Sequence, residues 1–397
     1  MPTRLTRYVL WEITKVFLVA LAAMTSLIMV VGVSRQLLLE GLGLEAVARL
    51  MPFVLPISLQ FAIPATSLFA ICMVYGRMSA DGEISTLKSV GISPLRVLTP
   101  AFGFGLMLSP LAVWLGDLAS SWGGPGLNRV VFESVDDIVY RMLRSQRSYS
   151  TPKGLSIHVQ DVQGRSLINP VITVHSGGKQ NEPVTFYAKE GRLELDTERM
   201  ALNLKLKNFR ILGKVHGGFQ GEQIIPIPLD KALRKGSVSH TSPSELPLRD
   251  VAPEAAKQRQ RLDEKQRELA AETALALATG QWDDIAGEVG AKLDGEISSG
   301  NDRLDRLRTE PWRRWAGGFS CFAFIMIGAP LAILLRTADP WMAFGVCFLP
   351  ILLLYYPLFL YGLDQAKAGN LPPYSVWLGN IVLIIVAGFL TRRVWRY

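Results

Sequence analysis

Six long apolar runs, three near each end of the chain, leave few architectures open. They cover Leu10 to Val33, Met51 to Tyr75, Leu98 to Leu118, Trp315 to Leu335, Trp341 to Leu363 and Ser375 to Leu390. Each approaches the roughly 20 residues that a helix needs to cross the hydrocarbon core of a bilayer. In lipid the backbone must satisfy its own polar groups, which a helix does within the segment. The composition agrees: 49% of the 397 residues are hydrophobic and only 19% are charged, too apolar for an average soluble protein. The chain reads as an α-helical membrane protein with six transmembrane helices, three and three, around a polar middle. The first run is too long, and too poor in a small-residue cleavage site, for a removed signal peptide.

Orientation follows from the short loops, because Lys and Arg near span ends stay in the cytoplasm. With the N-terminus inside, the inner segments carry Arg4, Arg7, Arg77, Lys88, Arg96, Arg336, Arg392, Arg393 and Arg396. The outer short loops carry only Arg35, Arg49 and Lys367. This predicts both termini in the cytoplasm and the middle region, about 119–314, outside. Cys72, Cys321 and Cys347 fall within apolar runs, so the exported region folds without disulfides.

The middle divides by pattern. Between Ser156 and Pro228 apolar and polar residues alternate in the manner of strands. The alternation is clearest in "ALNLKLKNFRIL", where Leu202, Leu204 and Leu206 share one face and Asn203, Lys205 and Lys207 the other. "SIHVQDV", "VITVH", "PVTFYAKEGRLELD" and "EQIIPIPL" read as further strands. The expectation is an all-β domain, sandwich or jelly roll, inserted between helices 3 and 4. From Pro253 to Arg308 the composition shifts to Ala, Glu, Gln, Arg and Lys. That reads as charged helix interrupted at "TGQWDD" and "ISSGND": a solvated linker, with a coiled-coil arm of short, broken heptads as the alternative. The units are then 1–118 with a coupling helix at 79–91, a β-domain at 119–250, a helical linker at 251–314, and helices 4–6 at 315–397.

Catalytic chemistry finds no support. There is no G-x-x-x-x-G-K-[ST] loop, no H-E-x-x-H and no metal-spaced His and Cys cluster, so no cofactor, metal or catalytic residue is assigned. "GGFSCF" at Gly317–Phe322 places a serine in an apolar run, as an intramembrane protease would, but no span contains a histidine. Glu12 and Asp117 are ionisable residues close to span ends, where they are functional suspects or simply reach the interface. Arg35 follows the first span on the outer side, against the charge bias. A guanidinium there can hold a lipid phosphate bidentately or can snorkel. Arg129 and the cluster Arg141, Arg144 and Arg147 are weaker lipid-binding candidates, because a solvated helix face explains them as well.

The polar stretch "MSADGEISTLKSVGIS", Met78 to Ser93, separates the second and third runs on the inner side. Asp81 and Glu83 lie where a helix N-terminus favours negative charge, and Lys88 lies toward its C-terminus. Gly91 suits a left-handed cap and Pro94 prevents continuation. Ile84, Leu87 and Val90 recur at i, i+3 and i+6 as a small apolar patch. Such a helix is either an interfacial anchor or the handle by which a separate cytoplasmic motor pulls on the spans.

"YGRMSADGEISTLKSVGISPLRVLTP" resembles the cytoplasmic coupling segment of the LptF/LptG (YjgP/YjgQ) permeases of the lipopolysaccharide export transporter. "RLTRYVLWEITKVFLVAL", "LPISLQFAIPATSLFAICMVYGR", "YAKEGRLELDTERMALNLKLKNFRI", "TEPWRRWAGGFSCFAFIMIGAPLAILL" and "AGNLPPYSVWLGNIVL" resemble, in order, parts of that family's helices and β-domain. "VSRQLL" and "GRMSADGE" look closer to the F subunit than to G. The resemblance implies a non-catalytic ABC-transporter permease that pairs with an LptG-like subunit and is driven by an LptB-like ATPase dimer. It would pass lipopolysaccharide to an LptC-like periplasmic bridge. Asp81, Glu83, Ile84, Leu87, Lys88 and Gly91 would then couple to the ATPase. Two departures stand out: the charged 253–308 segment is longer than the family linker, and Pro311 falls where the family has an unbroken helix. Two alternatives remain: a permease of this architecture for another anionic lipid, or a MacB/FtsX-like mechanotransmission protein, usually with four spans.

Overall fold

The apolar runs close as helices that extend well beyond the hydrocarbon length. A computed structural model describes residues 2–40, 44–133, 140, 143–144, 147–150, 155–164, 166–174, 184–196, 201–212, 217–228, 242–279, 288–336 and 339–396. Among the described residues, six helical stretches are long and apolar enough to cross a membrane: Arg4–Ser34, Ala48–Ala80, Pro94–Leu127, Asp294–Leu335, Trp341–Lys367 and Pro373–Arg396.

The elements are α1 (Pro2–Glu40), α2 (Leu44–Ala80), the short α3 (Glu83–Ser89), α4 (Pro94–Leu118) and α5 (Gly124–Glu133). After the strands come α6 (Leu248–Thr279), α7 (Glu288–Leu335), α8 (Pro340–Pro350), α9 (Tyr356–Lys367) and α10 (Leu378–Arg396). Start signals are local. Pro94 and Pro340 open α4 and α8, where a missing N–H is harmless, and Asp339 Oδ1 accepts from the Trp341 amide at 3.0 Å. Two π turns, Ala119–Gly123 and Ile351–Tyr355, each end two residues before a proline, Pro125 and Pro357. The proline ring crowds the carbonyl four residues back, which lies inside the turn in both cases, and the backbone widens there.

The chain forms two units: Met1–Met29 with Phe53–Pro125 and Ser242–Tyr397, and Val30–Pro52 with Gly126–Thr241. In the first, α7 is the central helix, packed on α4, α10 and α6. About 67% of its apolar stretch is buried, against 11% for α1. The core draws Val9 and Ile13 from α1, Leu68, Ile71 and Tyr75 from α2, and Val97 and Leu98 from α4. Phe324 and Ile327 of α7, Cys347 of α8 and Leu383 of α10 also belong to it.

The charged segment after the strands differs from the expected linker. α6 and α7 pack antiparallel: Glu254 meets Arg303 at 3.7 Å, Gln258 Nε2 donates to the Gly300 carbonyl at 3.2 Å, and Lys265 meets Glu296 at 3.7 Å. α7 runs unbroken through "ISSGND" because Gly300 marks a close approach and not a stop. A Cβ there would lie 2.5 Å from Leu262 Cδ2. The helix also continues through Pro311. That proline removes one backbone bond, while Glu310 is gripped by Arg313 at 2.8 Å across the same turn.

In the second unit, eight described strands make one antiparallel sheet. They are β1 (Ser148–Ser150), β2 (Leu155–His158), β3 (Asp161–Gln163), β4 (Ser166–Ile168), β5 (Val171–Val174), β6 (Val184–Asp196), β7 (Ala201–Leu212) and β8 (Gly217–Pro228). "SIHVQDV" divides between β2 and β3. β6, β7 and β8 form a meander in which Leu204 pairs with Leu193 and Ile225. β4 and β5 line the other edge of β6 end to end, separated by Asn169 and Pro170. Asn169 takes a φ of 48°, which Asn tolerates better than most side chains. Gly191 on β6 makes room for Leu206, whose Cδ2 would lie 3.2 Å from an added Cβ.

Candidate functional site

The segment joining α2 to α4 is held by its own backbone. Asp81 and Gly82 form the turn, with the Asp81 amide donating to the Arg77 carbonyl at 2.9 Å and Gly82 at a φ of 74°. α3 then makes two turns. Its end is a paired left-handed cap: Gly91, at a φ of 84°, donates to Lys88 O at 2.9 Å and Ile92 donates to Leu87 O at 3.0 Å. A side chain at either glycine would be strained, so the sequence pins both ends of the helix.

Its apolar face differs from an exposed patch. Ile84 is 9% exposed within the core of the spans and Leu87 packs against that core, whereas Val90 is 75% exposed. A two-turn helix tethered at both ends can reach only the nearest apolar surface, which is the chain's own. Asp81 and Lys88 remain exposed and Glu83, the first residue of α3, is half-buried. The side chains left for a partner are therefore chiefly polar.

Three contacts fix the frame around the segment. Tyr75 Oη donates to the Val97 carbonyl at 2.7 Å, tying α2 to α4. Ser79 Oγ donates to the Ile333 carbonyl at 2.8 Å, tying α2 to α7. Arg77 meets Glu12 of α1 at 3.0 Å, and Glu12 also holds Lys15 at 2.6 Å. Glu12 was visible in the sequence as an ionisable residue near a span end. Its partner Arg77, far along the chain, was not. Asp117 similarly accepts from Arg314.

Arg35 lies in α1, but its side chain falls outside the described residues, as does Arg141. Arg129 is exposed on α5. Arg144 donates to the Gly164 carbonyl at 2.7 Å, and Arg147 turns the chain into β1 with a φ of 56°. Ser320 donates to the Gly317 carbonyl of its own helix at 2.6 Å, the usual state of a serine in an apolar helix.

The sequence matches the family model of the lipopolysaccharide export system permease LptF/LptG over residues 7–393. The chain belongs to the LptF/LptG family. No curated protein matches it. As an LptF/LptG permease it is a component of lipopolysaccharide export, a permease subunit of an ABC transporter that works in a complex. Its six apolar helices fit a multi-pass protein of the inner membrane. The family covers both subunits and does not separate F from G.

Proposed function

We propose that this LptF/LptG chain is the LptF-like half of a permease heterodimer that extracts lipopolysaccharide from the outer leaflet of the inner membrane. Both termini and the Met78–Ser93 segment lie in the cytoplasm. The antiparallel sheet is the periplasmic jelly roll that receives the lipid and passes it to an LptC-like bridge protein. An LptB-like ATPase dimer supplies the work, and Asp81, Glu83 and Lys88 of this chain are where it pushes. Ile84, Leu87 and Gly91 hold that handle in shape. The observation that carries the reading is the anchorage of α3: Ile84 and Leu87 are seated against the core of the spans, while Asp81 and Lys88 are exposed. A force on this segment is therefore delivered to the helices themselves. Arg35 is the outer-leaflet phosphate contact, with Arg129 as a secondary one.

Purifying the chain from its native membrane tests the reading directly. The expected companions are a P-loop ATPase, a second six-span subunit and lipopolysaccharide. Recovery of a different anionic lipid in place of lipopolysaccharide would assign this architecture another cargo. For Arg35, photocrosslinking to lipopolysaccharide is expected to fall about tenfold in Arg35→Ala, since a lost charge-assisted hydrogen bond is worth roughly 1.5–3 kcal/mol. Undiminished crosslinking and export would remove Arg35 from the site.

A further inference from the structure

At the far end of α4 from the coupling segment lies a buried ionic cluster that the proposed function does not use. Arg314, 5% exposed, sits on α7. Its Nη1 donates to Asp117 Oδ1 at the end of α4. Its Nη2 donates to the backbone carbonyls of Leu246 at 2.7 Å and Ser244 at 3.1 Å. Its Nε lies 3.6 Å from Glu310, which is 2% exposed and accepts from Arg313 at 2.8 Å. Asp117 Oδ1 also accepts from the amide of Leu248, the first residue of α6, at 2.9 Å. Arg314 and Glu310 are thus buried charges, each held by a half-buried partner, Asp117 and Arg313, and removing the partner of a buried charge is costly.

We infer that Asp117 and Arg314 are positioning residues for transport, a permanent clamp that makes the 242–248 segment move with α4 and α7. This rests on the coupling role proposed for α3. α4 begins at Pro94, three residues past the Gly91 cap of α3, and runs about 36 Å to Asp117. Along it α7 is in close apposition: a Cβ on Gly105 would lie 3.1 Å from Ile325, and one on Gly318 would overlap Val113. The pair has little freedom to slide. At its end, Arg314 and Asp117 grip two carbonyls and an amide of 244–248, and the turn Pro243–Glu245 packs on the π turn Ala119–Gly123. The gripped segment is the one that follows β8 and its connection in the chain. Displacement of α3 therefore reaches 242–248 through two packed helices and one ionic joint.

The test uses the complex with its ATPase and second permease subunit, in vesicles of phosphatidylethanolamine, phosphatidylglycerol and lipopolysaccharide. Ser121→Cys and Ser244→Cys place thiols on the two apposed turns, and a short bis-maleimide joins them. Cys72, Cys321 and Cys347 are buried and do not compete. A permanent clamp gives the same crosslinking rate, within twofold, with and without ATP. The joined complex then delivers lipopolysaccharide per ATP within twofold of the unjoined one. Arg314→Gln lowers lipid delivered per ATP about tenfold, and the crosslink in that variant restores it. A purely structural role lowers the amount of assembled complex and leaves this ratio alone. The inference is overturned if ATP slows crosslinking tenfold, if joining the turns stops delivery, or if Arg314→Gln keeps the ratio. If the unsubstituted complex delivers no lipopolysaccharide, the transport reading fails, and the ATP dependence of crosslinking still decides the clamp.

Discussion

Glu83→Lys is expected to abolish lipopolysaccharide export while leaving a chain that inserts and pairs with its partner subunit. Glu83 opens α3, half-buried, just after the left-handed Gly82. Insertion is indifferent to it because it lies outside the apolar stretches of α2 and α4. The helix is indifferent too, since Ile84 is already seated in the core and the Gly91 cap is backbone geometry. What changes is the polar face. A charge-assisted hydrogen bond donated to the carboxylate by an arginine or amide of the ATPase contributes roughly 1.5–3 kcal/mol, about tenfold or more in coupling. Glu83→Ala should show that loss, and Glu83→Lys should be worse because repulsion is added. If Glu83 served only the helix dipole, the effect would be about 0.3–1 kcal/mol. Glu83→Gln separates the two roles: near-normal export with the ATPase still bound would end the coupling role for this carboxylate.

How much was legible in the sequence depended on how far each determinant reaches. The six spans were visible because a bilayer demands an uninterrupted apolar length. The short helix of the Met78–Ser93 segment was visible because glycine caps and a helix-opening proline are local chemistry: Gly91 and Pro94 fall where the expected helix needed an end and the next a beginning. Strand runs such as Ala201–Leu212 carried their own alternation, but the pairing of both β4 and β5 with one edge of β6 depends on contacts between distant segments. The same limit hid the partners of Glu12 and Asp117, because an ion pair between helices leaves no mark on the spacing of either. It also turned two signals the wrong way. Gly300 within "ISSGND" reads as a helix break, yet it is the room that Leu262 needs. Ile84 and Leu87 read as a patch for a partner, yet the spans themselves are the nearest apolar surface.

Gly317 and Gly318 make that limit measurable, since no local rule distinguishes two adjacent glycines in an apolar helix. Around Gly317 an added Cβ meets nothing within 4 Å. Around Gly318 it would lie 2.7 Å from the Val113 backbone nitrogen and 3.0 Å from its Cα, besides overlapping the side chain. Gly317→Ala should therefore be neutral or slightly stabilising, because alanine exceeds glycine in helix preference by up to about 1 kcal/mol. Gly318→Val has to push α4 away from α7 along their contact. Overpacking usually costs about 1–3 kcal/mol, and this site belongs at or above the upper end because the obstruction is backbone and cannot rotate aside. A fall in Tm on the order of 10 °C is expected for Gly318→Val in detergent, with Gly317→Ala within a degree or two of the parent. Val113→Ala should not rescue it, since removing the side chain leaves the nitrogen and Cα where they are. An unchanged Tm for Gly318→Val, or full rescue by Val113→Ala, would mean that α4 and α7 do not cross at these residues, and the rigid path from α3 to Asp117 would lose its support.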